Sequence, residues 1–325
     1  MAAPRPFRAL RARVRTLRGR RRHRAEVRRG AALPARADRT PIFILGAPRS
    51  GTTLLYQLLV EAFEVGWLAN AHAADATDVS RIEREQRPRA ARTPSDWEST
   101  HGATAQPWGP SELEAFWYRF FPRTPHQAGH DAATPERTRA LRAAVRLFAD
   151  ACAAPVVFKN VFHSLRVPVL AQALPEARFL LIERELDANA RSLLVGRLRR
   201  GDANAWWSAR PDGAEQVDDA SPATQVVWQV TTMDAVARHD LAALEPDRSL
   251  IVTYDSLCAD PHALLTTIEA WLRESGVPIV RRDDARIPAS FDARGGGALP
   301  PELDADLQQA MTVHRASAAI GHNPR

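Results

Sequence analysis

The sequence has almost no lysine. Lys159 is the single lysine among 44 basic residues, so arginine carries the positive charge everywhere else. Cysteine is nearly as scarce, with Cys152 and Cys258 the only two. Two distant cysteines exclude a disulfide framework or a cysteine-based zinc site, and they suit a reducing compartment. No run approaches about 18 consecutive apolar residues, which excludes an ordinary spanning helix. No apolar core follows the first charges, so the start of the chain does not read as a secretory signal. No spacing of His, Cys, Asp and Glu suits a metal, and no internal repeat is visible.

Acidic residues are missing from one end. Fourteen arginines face only Glu26 and Asp38 in residues 1–39, a charge of +12, which leaves −6 for residues 40–325 out of the net +6. The larger part is therefore acidic, and no nucleic-acid partner is expected for it. In the basic arm, Phe7, Leu10, Val14 and Leu17 fall on one helical stripe among arginines. Three readings stay open for it: a solvated arm, a segment lying on an anionic membrane surface, and an Arg-rich, acid-poor organellar transit segment. The division expected is a basic arm over residues 1–39 and one α/β domain over residues 40–325. A 45% hydrophobic content supplies one large core. The expected location is cytoplasmic, or peripheral at the inner face of a membrane.

The chain is organised around Pro41 to Thr53, PIFILGAPRSGTT. Ile42 to Leu45 reads as a buried parallel strand. Gly46 and Gly51 bound a loop, and Thr52 opens a helix. Such a loop aims backbone N–H groups at an anion, with the helix dipole behind them. The loop is nearly a Walker A motif, but Thr52 stands where that motif has lysine, and the cation is Arg49 inside the loop. A guanidinium there can fork onto an anionic group with two charge-assisted hydrogen bonds.

Further strands are expected at Val156–Lys159, Arg178–Arg184 and Ser249–Tyr254. Helices are expected over Pro135–Ala151, within Val161–Leu174, over Asp187–Arg200 and Pro222–Leu244, from Pro261 through Trp271, and from about Pro301. Ser111 reads as the N-cap of another helix, with Glu112 and Glu114 in its first turn and Phe116, Trp117, Tyr118, Phe120 and Phe121 after it. Residues 64–110, with His72, Trp97, His101 and Trp108, read as an irregular lid or acceptor-side excursion. Residues 201–221, holding Trp206 and Trp207, form a second excursion. Strands alternating with helices predict a P-loop-like α/β fold, a parallel sheet with helices on both faces. Gly46, Lys159, Arg184 and Tyr254 then share the rim at the strand C-termini, where such sheets bind ligands.

PRSGTT after an apolar strand resembles the 5′-phosphosulfate loop of the PAPS-dependent sulfotransferases, in the Golgi-type and bacterial branch with Arg in the loop. Arg184 to Ser192, RELDANARS, is similar to the family's 3′-phosphate site, although Glu185-Leu186 stand where many members have Asp-Pro. Tyr254 to Pro261, YDSLCADP, is similar to the family's stretch after the last strand. The resemblance implies transfer of a sulfuryl group from PAPS to an acceptor hydroxyl or amine, leaving PAP, without a metal. It implies that Gly46, Pro48, Arg49, Ser50, Gly51, Thr52 and Thr53 hold the 5′-phosphosulfate. Arg184 and Ser192 would hold the 3′-phosphate, and Tyr254 would support the nucleotide.

Lys159, in Phe-Lys-Asn, resembles the lysine that neutralises charge during transfer, so Lys159, Arg49 and an acceptor-side base form the implied catalytic set. Cytosolic members place a catalytic His two residues after this lysine; here Val161 stands there, and His163 comes two residues later. Golgi-type members use a Glu about twenty residues past the loop Arg, where this chain has Gly66 to Asn70 without an acid. Glu112, Glu114, His72 and His163 remain candidates for the base, in that order. Trp108, Trp117, Trp206 and Trp207 offer faces for sugar stacking and so point to a glycan or glycolipid acceptor, though aromatics serve equally as core. Two other functions stay open: a P-loop phosphotransferase using ATP and magnesium, and a non-catalytic, membrane-surface protein that keeps a nucleotide fold.

Overall fold

The computed structural model describes residues 24–90, 92–99, 103–293 and 295–321, with side chains through residue 316. The stripe of Phe7, Leu10, Val14 and Leu17 and the excursion's His101 lie outside the described residues. Strands β1 (Pro41–Leu45), β2 (Gly66–Trp67), β3 (Val156–Lys159), β4 (Arg178–Glu183) and β5 (Ser249–Thr253) form one parallel sheet in the order β2-β3-β1-β4-β5. The α-helices among the described residues are α1 (Thr52–Ala62), α2 (Val79–Gln86), α3 (Glu114–Trp117), α4 (Pro135–Cys152) and α5 (Val167–Ala173). They continue with α6 (Leu186–Arg199), α7 (Pro222–Ala242), α8 (Tyr254–Ala259), α9 (Pro261–Glu274) and α10 (Pro301–Gly321). Among the described residues no helix is long and apolar enough to cross a membrane.

Every residue of β1 is buried, as a central strand covered on both faces requires. Its side chains alternate. Phe43 and Leu45 join Phe158 and Phe179 in a core under α4 and α5. Ile42 and Ile44 join Val157, Leu180 and Ile182 in a second core under α1 and α9. A third apolar cluster packs α6 against α7 and α10. The α/β class and the two-sided sheet expected from the sequence are the observed architecture.

Helix starts follow local chemistry. Thr134, Ser221 and Asp260 cap α4, α7 and α9, each followed by a proline at the first helical turn. Glu185 caps α6 by accepting from the Ala188 N–H at 2.8 Å, so Glu185-Leu186 starts the helix.

Two local expectations change. Residues 64–110 are not wholly irregular, because they supply edge strand β2 and helix α2. A two-residue strand and a mostly charged helix leave little periodic signal. The helix expected from Ser111 starts at Glu114 instead, because Leu113 adopts a left-handed conformation (φ 39°) that breaks the turn. Ser111 caps only that turn, accepting from the Leu113 N–H at 3.3 Å, and Glu112 is left outside the helix. The helix expected within Val161–Leu174 is α5, and Val161–Leu165 forms a 3-10 turn before it.

Part of the basic arm packs on α4. Residues 24–31 are helical, and Glu26 pairs with Arg119. The Leu33 carbonyl accepts from Arg146 Nη1 at 3.0 Å. Gly30 lies so close to α4 that a Cβ there would fall 2.2 Å from the Ala143 carbonyl oxygen.

Candidate active site

The loop after β1 owes its shape to contacts from four other elements. The Gly46 N–H donates to Ser164 Oγ at 2.9 Å, and the Ser164 hydroxyl returns a bond to the Gly46 carbonyl at 3.1 Å. Arg49 has φ 71°, a conformation that costs a non-glycine residue about 1–3 kcal/mol. Its carbonyl accepts from Arg184 Nη1 at 2.9 Å. Buried Asn189 on α6, with its amide turned as its neighbours require, donates to the Pro48 carbonyl at 2.7 Å. These bonds offset the strain and hold Arg49 in place. Gly51 has φ 100°, and a Cβ there would lie 2.4 Å from Tyr254 Cδ2. Glycine is needed at that point for both conformation and space.

Helix α1 begins directly behind the loop. Its first internal bond runs from the Leu55 N–H to the Gly51 carbonyl, which leaves the N–H groups of Thr52, Thr53 and Leu54 without a helical acceptor. These three residues line the cavity that opens beyond the sheet's C-terminal edge, about 430 Å³ in volume. Pro48, Arg49, Gly51, Thr52 and Thr53 line one wall. Lys159, Arg184, Ser192 and Tyr254, from β3, the end of β4, α6 and the end of β5, line the others, together with Glu112. β1 lies between β3 and β4, so the loop sits at the point where the strand order reverses, the usual binding crevice of such sheets.

Two of the expected contact residues stand apart. Gly46 and Ser50 do not line the cavity. Ser50 is only 1% exposed, and its N–H is spent on the Ala47 carbonyl at 3.2 Å. A Cβ on Gly46 would lie 2.5 Å from Ser50 Oγ, which places that hydroxyl under the loop. The shape of the loop thus uses Ser50 from inside.

Positive charge collects around the cavity. Arg49 Nε donates to Ser192 Oγ at 3.2 Å. The Arg184 guanidinium lies 4.4 Å over the Tyr254 ring, and burial lowers its pKa from the ordinary value. A cation disfavoured by desolvation gains from a nearby anion. The Lys159 ammonium donates to Thr53 Oγ1 at 3.1 Å and pairs with Glu112. The second Glu112 oxygen accepts from the Val161 N–H at 3.4 Å. The break at Leu113 is what frees Glu112 to reach this lysine. Among the described residues, no group of three or more His, Cys, Asp or Glu could hold a metal ion.

The other base candidates lie elsewhere. His163 is fully buried with neither ring nitrogen bonded, 4.2 Å from the Trp117 ring centroid, and burial pushes its pKa well below the usual range. It is a neutral core residue. His72 is buried too, accepting from the Ala69 N–H at 2.9 Å while its other nitrogen lies 3.1 Å from Glu83. Glu114 is exposed and accepts from the Tyr118 hydroxyl at 3.3 Å. Among the tryptophans, Trp117 is core at 1% exposure, Trp206 packs against Arg210, and Trp207 lines the cavity.

Further cavity residues come from segments that the sequence marked only as excursions or loops. Trp97, Glu98 and Ser99 come from the first excursion, Ser208 from the second, and Ser290, Phe291 and Asp292 from the loop before α10. Asn189 was within reach, because it lies three residues before Ser192 on the same helix face. Asp234 on α7 was not, although it accepts a hydrogen bond from the Ala47 backbone, and burial with neighbouring Glu183 raises its pKa to about 7.

The sequence matches the model of the sulfotransferase family over residues 41–277. Among solved structures, it is similar to a sulfotransferase from Mycobacterium avium, with 16% identity and a TM-score of 0.49 over 86% of this chain and 69% of that one. It is also similar to a sulfotransferase from Alicyclobacillus acidocaldarius, with 15% identity and a TM-score of 0.42 over 90% of this chain and 98% of that one. No curated protein matches.

Proposed function

The chain belongs to the sulfotransferase family, and from that premise we propose that it moves a sulfuryl group from PAPS to a hydroxyl or amine of an acceptor, with PAP as the other product. The observation that carries this reading is the pairing of Glu112 with Lys159 in the lining of a cavity that the Arg49 loop also lines. A base, a cation and an anion cradle then face one space.

The residues present fit the donor. The N–H groups of Thr52, Thr53 and Leu54, the Thr52 and Thr53 hydroxyls and Arg49 would hold the 5′-phosphosulfate. Arg184 and Ser192 would hold the 3′-phosphate, with Tyr254 beneath the Arg184 guanidinium. Arg184 and Asn189 keep the strained loop in one shape, so little reorganisation is needed on binding.

In the transfer, the sulfur–oxygen bond to the donor phosphate breaks and a new bond forms from sulfur to the acceptor oxygen or nitrogen. Lys159 stabilises the negative charge that develops on the oxygens around sulfur. Glu112 accepts the proton from the acceptor. Positioning and charge stabilisation carry most of such a transfer. The position next to Gly51, occupied by Thr52, lacks the lysine that an ATP-using P-loop enzyme places on its phosphates. The acceptor class, a glycan or glycolipid, rests on the tryptophans Trp97 and Trp207 at the cavity wall.

The test has two arms. PAP without magnesium raises the melting temperature, because the protein supplies the positive charge itself, and magnesium-ATP does less. Radiolabelled PAPS offered with a cell extract then marks the acceptor. Stabilisation by magnesium-ATP and not by PAP would overturn the reading.

A further inference from the structure

A second cavity, about 170 Å³, opens beside the first. The two share the side chain of Gln57 as a wall. Thr53, Gln57 and Glu61 succeed one another at four-residue spacing on one face of α1, so the second cavity lies one to two helical turns beyond the Lys159–Thr53 contact. Its volume is below the roughly 300–1,000 Å³ of sites that enclose a whole small ligand. It suits part of a ligand whose remainder lies in the main cavity.

The wall chemistry is specific. The Arg87 guanidinium lies 3.7 Å over the Trp67 ring and 4.8 Å from the centroid of Trp108. The Trp67 indole N–H is fixed on the Trp108 carbonyl at 2.8 Å. Arg87 Nη1 is buried without a hydrogen-bond partner, and the nearest carboxylate, Glu83, stands 4.0 Å from its Nε. Arg92 and Arg282 also line the cavity, and burial lowers the pKa of Arg282 with Arg92 adding repulsion. Among the lining residues Glu61 and Asp96 are the carboxylates, and Asp284 reaches Arg92 at 2.8 Å. Glu61 is already committed to Arg92 at 2.9 Å and to the backbone N–H groups of Arg286 and Ser95 at 2.9 and 3.2 Å. A buried guanidinium N–H without a partner, with two further guanidinium groups lining the same cavity beside aromatic walls, favours an anion carried on a ring.

We propose that this cavity is an acceptor subsite for a carboxylate borne on a sugar or aryl ring, gripped by Arg87, Arg92 and Arg282 while the reacting group of the same acceptor lies at Glu112 and Lys159. The proposal rests on the sulfuryl-transfer reading for its link to the main cavity. It narrows the acceptor to an acidic molecule long enough to span two cavities.

The experiment uses the full chain saturated with PAP and calorimetric titration. Glucuronate is compared with glucose, and 4-hydroxybenzoate with 4-hydroxybenzamide, so the two pairs separate a sugar carrier from an aryl one. In at least one pair the acid binds tenfold or more tighter than its neutral counterpart. Arg92→Gln and Arg282→Gln each weaken that acid at least threefold and leave the neutral compound and PAP unchanged. Arg92 is partly exposed and its variant is expected to fold; should Arg282→Gln fail to fold, Arg92→Gln alone decides. Equal affinity within both pairs, no binding of either acid, or acid affinity unaffected by Arg92→Gln overturns the proposal. Failure of PAP to bind the parent protein would instead defeat the donor reading, and the acid titration without PAP still decides whether the anion site exists.

Discussion

Glu112→Gln keeps the shape of a side chain at the centre of the proposed chemistry and removes its charge. Lys159 and Glu112 are 5% and 22% exposed in their side chains, so the pair is largely but not wholly out of water. Breaking a fully buried pair from one side costs about 3–5 kcal/mol. An exposed pair is worth roughly 0–1 kcal/mol. Glutamine can still accept one hydrogen bond from Lys159, whose Thr53 contact at 3.1 Å also survives. The expected loss of stability is therefore about 1–2 kcal/mol, between these limits. The loss of rate is expected to be larger. A positioned general base contributes about 10²- to 10⁴-fold, or roughly 2.7–5.5 kcal/mol of barrier at 1.36 kcal/mol per decade. PAP affinity should move the other way. Lys159 loses its internal countercharge and turns wholly to the donor, so affinity is retained or tightened by up to about tenfold. Single-turnover transfer from radiolabelled PAPS, calorimetric PAP titration and urea unfolding read the three effects separately. A rate within threefold of the parent removes Glu112 as the base. Parallel loss of rate and PAP affinity makes it a brace of the loop instead, and the reasoning fails.

Lys159→Arg retains PAP affinity within a few-fold and loses transfer by roughly a hundredfold, because a planar guanidinium cannot replace a compact ammonium beside Thr53 and Glu112; unchanged transfer in single-turnover kinetics would make Lys159 a structural charge only. Arg184→Ala shows the reverse balance, losing PAP affinity first at about 1.5–3 kcal/mol for the charged hydrogen bonds, and an unaltered calorimetric titration would reject its role. Asp234 has its pKa raised from 3.8 to about 7, so the stabilisation of its protonated form is full below about pH 4 and lost as pH rises through about 7. The stability advantage of Asp234→Asn over the parent should grow across that window and level off above it, and identical pH profiles of urea midpoints would refute this. Removing residues 1–23, which hold nine of the arm's arginines, leaves PAP affinity unchanged and weakens binding to anionic vesicles in a flotation assay; equal flotation of both forms would end the membrane reading of the arm.

The sequence by itself determined the sheet, the loop and the rim. Apolar runs such as Ile42–Leu45 and Val156–Phe158 are buried on both faces, and that burial requires continuous hydrophobicity, which is readable without coordinates. Gly51 and Thr52 could be placed at a helix start because backbone conformation at a tight turn is a local property. Strand ends then put Lys159, Arg184 and Tyr254 on one edge by topology alone. Only the tertiary structure separates Glu112 from Glu114, His72 and His163 by place, because nearness to Lys159 depends on distance across the chain and on burial. Glu112 reaches Lys159 after a left-handed turn at Leu113 that no periodicity announces, whereas both histidines are consumed by the core. The inward turn of Ser50, the brace from Asn189 and the Arg87–Trp67 wall are likewise packing outcomes. They arise from segments far apart in sequence, and local propensity carries no record of which distant segment a side chain will meet.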